Sequence, residues 1–229
     1  MPSSHPKQIN EIVSIISHLK PKKFIDIGVG FGKYGFLVRE YADVNCRPGN
    51  EPYVYENKRT IIHGIEGFPE YIGDLQRNIY DKLFLGDALK KVDEIDNDYD
   101  LIFLVDIFEH FSKEDGELLL DKLLKKGKNI LISTPKNMQE QDDVFGNEFE
   151  IHRYNWHKRD FERHQNKLII PNSYSLLVFI GEKSKEVANL FSKSYYLKSL
   201  FRKKYYDVLI LLGKNYPFLR KLNPKNWGS

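Results

Sequence analysis

The chain has 229 residues, is 41% hydrophobic and 29% charged, and carries a net charge of +3. This length fits one domain with a modest extension, because domains usually contain about 100 to 200 residues. Repeat, collagen-like and wholly disordered architectures are excluded, since the sequence has neither an internal repeat nor a low-complexity block.

The positive charge is concentrated at the end of the chain. Residues 185–229 contain ten lysines and arginines against Glu186 and Asp207, a net charge of +8, which leaves −5 on residues 1–184. The single cysteine, Cys46, forms no internal disulfide, and no charged and then apolar leader precedes the first predicted helix. These features favour the cytoplasm. The longest nearly apolar run, 208–212, is far shorter than the roughly 20 residues of a membrane span.

Predicted strands and helices alternate along the chain. Residues 8–19 place apolar side chains at helical spacing, and Pro21 ends this first predicted helix. The alternation predicts an α/β fold with a doubly wound, mainly parallel, seven-stranded sheet, in which the most apolar strand is central. The predicted strands are 24–27, 61–65, 82–85, 100–105, 129–133, 167–170 and 176–180, and the later predicted helices are 34–41, 71–81, 113–126 and 158–165.

Residues 42–60 interrupt this pattern with Asn, Pro, Gly and mixed charges, including a turn cluster at 47–52. The sequence therefore predicts an inserted loop. The loop could act as a lid or as an interface, and the sequence favours neither role.

A glycine turn follows the first predicted strand, with glycines at 28, 30 and 32. Such glycines allow a sharp turn and a close approach of the backbone to a ligand. Residues 30–35 also satisfy the G-x-G-x-x-G pattern of a nicotinamide dinucleotide site. Asp26 argues against that site, because its carboxylate would add negative charge beside a pyrophosphate but suits the ammonium group of a methionine moiety.

Residues 24–33 resemble the glycine-rich first motif of class I S-adenosylmethionine (SAM) dependent methyltransferases. The resemblance implies that an acidic residue ending the second strand binds the ribose hydroxyls and that another, after the third strand, lies near the adenine. Two alternatives stay open: a solvated strand end for the first acidic residue and a helix cap for the second. The implied SAM-binding residues are Asp26, Gly28, Gly30, Gly32, Glu66 and Asp87.

Residues 105–111 follow the fourth predicted strand, 100–105, which is the most apolar one, and this segment is here called the β4 edge. They are similar to the acidic Glu-His segment of many small-molecule methyltransferases, which implies that Asp106, Glu109 and His110 face the methyl acceptor. His110 would take a proton from the acceptor or position it, since its unperturbed pKa lies near neutrality. The alternative is that Glu109 and His110 form a structural hydrogen-bonded pair.

The 139–156 loop is polar and aromatic. It resembles the segment after the fifth strand in methyltransferases encoded alongside surface-glycan and glycolipid enzymes, which implies a sugar acceptor. The implied acceptor-binding residues are Asn147, Glu150, His152 and Trp156. A divalent metal on His110, Glu150 and His152 is the alternative, but no compact H-x-x-x-H spacing supports it, and the prediction is therefore no metal.

The basic tail, residues 185–229, keeps helical apolar spacing from Val187 to Leu212. An amphipathic helix that packs on its own domain or across a homodimer is favoured. Peripheral binding to the inner face of the membrane is the second alternative. RNA binding ranks lowest, because residues 1–184 are acidic.

The sequence thus predicts a SAM-dependent methyltransferase domain at 1–184 and a helical tail at 185–229. The predicted reaction is methyl transfer to a small-molecule or glycan acceptor, with O-methylation of a sugar favoured. A nicotinamide-dependent oxidoreductase and a non-catalytic SAM-binding scaffold are the alternatives.

Overall fold

The computed structural model describes residues 4–44, 58–144 and 146–192. Seven strands form one sheet: β1 (Lys23–Ile27), β2 (Ile61–Glu66), β3 (Lys82–Leu85), β4 (Leu101–Val105), β5 (Asn129–Pro135), β6 (Lys167–Ile170) and β7 (Ser175–Gly181). Their order across the sheet is β3-β2-β1-β4-β5-β7-β6. The first five are parallel, whereas β7 is antiparallel to both of its neighbours.

The described helices are α1 (Ile9–Leu19), α2 (Lys33–Val38), α3 (Asp74–Ile79), α4 (Ala88–Lys91), α5 (Lys113–Leu123) and α6 (Ser184–Leu190). A π-helical segment, Arg39–Asp43, continues α2, and short 3-10 turns cover Pro6–Gln8, Pro69–Tyr71, Phe108–His110, Glu148–Glu150 and Lys158–Phe161. The doubly wound, mainly parallel sheet is confirmed. Its strand order reverses between β1 and β4, and ligands of such sheets bind beside the carboxyl ends of the strands at this point.

The core lies on both faces of β4, whose five residues are all buried. On one face Ile102 and Leu104 belong to a cluster with the apolar side of α5. On the other face Phe103 contacts Phe24 of β1 edge to face, with ring centroids 4.9 Å apart. Apolar packing on both faces fixes β1 and β4 side by side, so the segments that leave their carboxyl ends are held rigidly.

The described ends of the 42–60 insertion are joined by one buried guanidinium. Arg39 donates to the Thr60 carbonyl oxygen at 2.7 Å and to the carboxylates of Asp43 at 3.0 Å and Asp81 at 3.2 Å. A buried charge with carboxylate and carbonyl partners is strongly held. Residues 45–57 lie outside the described residues, and the insertion's role stays a prediction.

Several predicted boundaries need correction. The predicted helix 158–165 forms only the 3-10 turn Lys158–Phe161, because a segment this short that buries only Phe161 gains too little packing to nucleate a full helix. The predicted helix 71–81 begins at Asp74, after Gly73 in extended conformation.

Only residues 185–192 of the basic tail are described, and they include most of α6. Its amphipathic helix, dimer contact and membrane contact therefore stay predictions, as does the boundary at 184. Within the described parts of the chain, no helix is both long enough and apolar enough to cross a bilayer.

Candidate functional site

A cavity of about 390 Å³ lies beside the carboxyl ends of the central strands. It is lined by the glycine turn, the end of β2, the β4 edge and the 139–156 loop, together with the segment before α1. Ten of the predicted site residues line it: Gly28, Gly30, Glu66, Asp87, Asp106, Glu109, His110, Asn147, Glu150 and His152.

The glycine turn is held by the neighbouring strand. The backbone N–H groups of Gly28 and Val29 both donate to the Ile65 carbonyl oxygen, at 2.9 and 3.2 Å. Gly30 has a φ of +49°, and a Cβ at this position would meet nothing within 4 Å. Since Gly30 also lines the cavity, its missing side chain leaves space in which a ligand can lie against the backbone.

Glu66 ends β2 and is buried at the cavity wall. One carboxylate oxygen accepts from Gly30 N at 2.7 Å and the other from Phe68 N at 2.9 Å. Burial raises the pKa of Glu66, and the backbone N–H groups of Phe68 and Gly30 oppose that rise. Each oxygen keeps acceptor capacity beyond its one backbone donor, as a ligand hydroxyl requires.

Asp87 lines the cavity and also caps α4, accepting from Leu89 N at 2.9 Å. The cap and the ligand contact were alternatives in the sequence. The structure shows the cap. The second carboxylate oxygen of Asp87 is not used by the cap, so it can accept a hydrogen bond from a ligand in the cavity.

Asp26 does not line the cavity, although it is the residue that argues against the nicotinamide alternative in the sequence. It is 1% exposed and accepts from the Tyr80 hydroxyl at 2.6 Å. Burial raises the pKa of Asp26 to about 7, despite the opposing hydrogen bond from Tyr80. The structure therefore does not place the Asp26 carboxyl group where it would contact the ammonium group of the methionine moiety directly. Asp26 instead lies behind the glycine turn.

Gly32 and Trp156 are also absent from the cavity lining. Gly32 precedes α2 in a left-handed conformation. Trp156 is 2% exposed, stacks on Phe108 with ring centroids 4.2 Å apart, and donates from Nε1 to the Phe108 carbonyl oxygen at 2.7 Å. The predicted sugar platform is therefore a core side chain, because its flat faces are already covered by neighbouring rings.

Asp106 turns the chain sharply out of β4, with a φ of +52°. One carboxylate oxygen accepts from Gln8 Nε2 at 2.7 Å, and Gln8 in turn accepts from the Ser133 hydroxyl. Burial raises the pKa of Asp106, and the hydrogen bond from Gln8 opposes that rise.

Glu109 and His110 lie in the 3-10 turn Phe108–His110. Glu109 is 2% exposed, and its Oε2 has no hydrogen-bond partner among the described residues. Burial, followed by repulsion from Asp106, raises the pKa of Glu109 to about 8. Burial, followed by the nearby His152, lowers the pKa of His110 to about 4, so its imidazole is neutral at pH 7.

The 139–156 loop brings three polar groups to this edge. Asn147 accepts from Phe149 N at 3.0 Å and so begins the turn that carries Glu150. The loop is fastened to the β4 edge because Arg153 N donates to the Glu109 carbonyl oxygen at 2.8 Å. His152 thereby lies beside His110, with ring centroids 4.9 Å apart.

Sequence reasoning missed the segment before α1. Ser4, His5 and Pro6 line the cavity, and fully buried Gln8 bonds Asp106, 98 positions along the chain. No local pattern signals a contact of that separation. Three solvent-exposed aromatic rings in the lining were missed as well: Phe31, Phe149 and Tyr174.

The cavity is strongly acidic. Five carboxyl groups line it, those of Glu66, Asp87, Asp106, Glu109 and Glu150. Within the described lining, Lys33 is the only lysine or arginine, and its Nζ is bonded to the Ser4 carbonyl oxygen at 2.8 Å. A pKa of about 8 keeps Glu109 mostly protonated at pH 7, and the carboxylates that are ionised attract cationic ligands and repel a pyrophosphate.

No family model matches the sequence, and no curated protein matches it. Solved methyltransferase structures share the fold. The N-terminal domain of EvdMO1, crystallised in the presence of S-adenosylhomocysteine (SAH) and D-fucose, is 10% identical with a TM-score of 0.51 over 78% of this chain and 84% of that one. Magnesium protoporphyrin IX methyltransferase (ChlM) from Synechocystis PCC 6803, with bound SAH, is 11% identical with a TM-score of 0.52 over 76% and 82%. PigF, also with SAH, is 12% identical with a TM-score of 0.54 over 77% and 55%. The chain has the Rossmann-like fold of class I methyltransferases.

Proposed function

We propose that this chain is a SAM-dependent methyltransferase that methylates a hydroxyl oxygen of a sugar-containing small molecule. The observation that carries the proposal is the position of Gly30. Its backbone opens onto the cavity directly beside the Glu66 carboxylate, in a fold whose crystallised members hold SAH.

The residues present fit SAM. The backbone of Gly30 leaves room for the amino-acid part of the ligand, and Glu66 retains acceptor sites for the two ribose hydroxyls. Asp87, which lines the same cavity, would accept from the adenine amino group. SAM carries a positively charged sulfur, which suits the acidic wall of this cavity.

SAM supplies a methyl group that its sulfonium makes electrophilic. The acceptor oxygen forms a bond to that methyl carbon while the carbon–sulfur bond breaks, and the electron pair stays on sulfur. The proton of the acceptor hydroxyl passes to the β4 edge, where Asp106 and neutral His110 both face the cavity. The main contribution of the protein is alignment of the oxygen with the methyl carbon.

Two features support a sugar acceptor. The acceptor side of the cavity combines carboxylates, imidazoles and an amide, which are groups that bind hydroxyls. The exposed ring of Phe149 offers a flat apolar face in place of the buried Trp156, and Tyr174, which stacks on His5, exposes part of its ring in the same cavity lining. A domain of the same fold was crystallised in the presence of SAH and D-fucose, which is consistent with this proposal.

The nicotinamide alternative is disfavoured by the same geometry. Gly35, the last glycine of the literal motif, packs against Tyr80, whose ring carbon would lie 2.3 Å from an added Cβ. Gly35 is therefore explained by packing rather than by a pyrophosphate. The ionised carboxylates of the cavity also oppose a ligand with two negative phosphates.

Calorimetric titration with SAH, with NAD as the control ligand, tests the cofactor. We expect wild type to bind SAH, Glu66→Ala to bind it at least about 10-fold more weakly, and NAD to give no heat. Failure of folded wild type to bind SAH would contradict the proposal. Transfer of radiolabelled methyl from SAM to a panel of free and nucleotide-linked sugars then tests the acceptor. SAH binding with no transfer to any acceptor would favour a non-catalytic scaffold.

A further inference from the structure

Glu109, His110 and His152 form a cluster that spans two segments of the chain. One carboxylate oxygen of Glu109 and one nitrogen of each imidazole all lie within 4.8 Å of one another. All three side chains line the cavity. A metal ion with bonds of about 2.0 to 2.2 Å needs its ligand atoms about 3 to 4 Å apart. Small rotations of these side chains would bring the three ligand atoms to that separation.

Both imidazoles are oriented by backbone carbonyl groups. His110 Nδ1 lies 3.3 Å from the Ile151 carbonyl oxygen, and His152 Nδ1 lies 2.5 Å from the Gln139 carbonyl oxygen. A carbonyl oxygen only accepts, so in the neutral form of an imidazole held in this way the proton lies on Nδ1 and the lone pair on Nε2. Metal-binding histidines are held in this way by a second hydrogen bond to a carbonyl or carboxylate.

Glu109 provides an independent observation. It is 2% exposed, and its Oε2 lacks a hydrogen-bond partner among the described residues. An unpaired buried carboxyl group is costly in its charged form, so it stays protonated unless a cation binds it and displaces the proton. Among the described residues no lysine or arginine is bonded to that oxygen, and Lys33, the only such residue in the described lining, donates to the Ser4 carbonyl oxygen.

We propose that Glu109, His110 and His152 bind a divalent transition-metal ion, and that this ion in turn binds two adjacent oxygen atoms of the methyl acceptor. The binding of the acceptor by the ion rests on the proposed function, whereas the metal site itself does not. Two imidazoles and one carboxylate suit zinc, iron or cobalt better than magnesium or calcium, which prefer oxygen ligands. Three protein ligands leave coordination positions open for substrate.

The metal narrows the acceptor to a chelating group, such as the vicinal hydroxyls of a sugar. The cation would lower the pKa of the hydroxyl that it binds. With the His110 lone pair used by the ion, the hydroxyl proton passes to Asp106, which lines the same cavity. The oxygen then bonds to the methyl carbon as the carbon–sulfur bond breaks.

Metal binding is measured on the tag-free full chain after treatment with chelator, with Co2+ followed by its visible absorption and Zn2+ by calorimetry. We expect one ion per chain and at least about 100-fold weaker binding in His152→Gln and Glu109→Gln. The matched control is His157→Gln, which removes an exposed histidine outside the cavity and should bind like wild type. His152 lies on a loop and is only partly buried, so its variant keeps the test valid should Glu109→Gln fail to fold.

The proposal is overturned if wild type binds neither ion. It is also overturned if His152→Gln binds metal as tightly as wild type, which would favour a structural role for Glu109 and His110. SAH titration of the same metal-free protein separates the two proposals. SAH binding without metal binding overturns the metal site alone. Metal binding without SAH binding overturns the proposed function and leaves the metal site standing.

Discussion

The glycine turn and the 139–156 loop both line the cavity, but different contacts hold them. The turn is fixed by main-chain geometry: positive φ angles and backbone hydrogen bonds to Ile65 in the adjacent strand. The loop is fixed by its attachment to Glu109, more than 40 positions earlier, and by Asn147, which begins its 3-10 turn. The turn therefore tolerates few residue types at each position, whereas the role of each loop side chain depends on what tertiary packing places beside it.

Trp156 gives the largest expected effect and tests whether the end of the loop belongs to the core. Trp156→Ala should destabilise the protein by about 3–5 kcal/mol, because it removes a fully packed ring. Urea unfolding measures this loss. Phe149→Ala, which removes an exposed ring of the cavity lining, is the control and should cost less than about 1 kcal/mol. Equal small losses in both variants would return Trp156 to the substrate-binding surface.

Asp26 tests whether the region behind the glycine turn is structural. Its folded pKa of about 7 lies above the unfolded value of 3.8, so the fold favours the protonated form. The stabilising contribution is complete below pH 3.8, falls as the pH rises, and is lost above about pH 7. The stability difference between wild type and Asp26→Asn should therefore change by up to about 4 kcal/mol over this window, to the disadvantage of wild type. A difference that stays flat with pH, measured by urea unfolding, would contradict burial of this carboxyl.

Gly30 tests whether the cofactor lies against the glycine turn. Gly30→Leu fills open cavity space and should weaken SAH binding at least about 100-fold, or about 3 kcal/mol. Gly146→Leu is a matched control, because Gly146 also has a positive φ and open space around it but does not line the cavity. Both substitutions introduce a similar backbone strain. A difference in SAH affinity between the two variants therefore shows whether SAH lies against Gly30. Equal affinities would place the ligand elsewhere.

Glu66 gives the smallest of the four effects. Glu66→Gln keeps one carbonyl oxygen but loses the charge, and SAH affinity should fall about 10-fold, or about 1.4 kcal/mol, since hydrogen bonds to charged groups contribute about 1.5–3 kcal/mol. Asp26→Asn, a carboxylate to amide change outside the cavity, serves as the control and should leave the affinity within about 3-fold. If the two variants lose affinity equally, the assignment of Glu66 to the ribose is wrong.

Much of the fold was predictable because its signals are local. The seven strands, the first helix and the glycine turn lie where apolar runs and glycines place them, and Lys20 ends α1 in a left-handed conformation just before Pro21. The predicted helix at 158–165 failed, because a short polar segment depends on its packing rather than on its own propensity. Gln8 could not be predicted as a partner of Asp106, because nothing near it in sequence indicates what faces it.

The sequence by itself determined the order of strands and helices, the turn at Gly28 to Gly32 and the acidic and imidazole groups that follow β2 and β4. Only the tertiary structure decided which of these groups meet. It buried Asp26 against Tyr80 and Trp156 against Phe108, and it brought His152 beside His110 and Glu109. The physical reason is range: hydrophobic period and backbone conformation act between neighbours, whereas burial and ligand geometry are fixed by packing between distant segments.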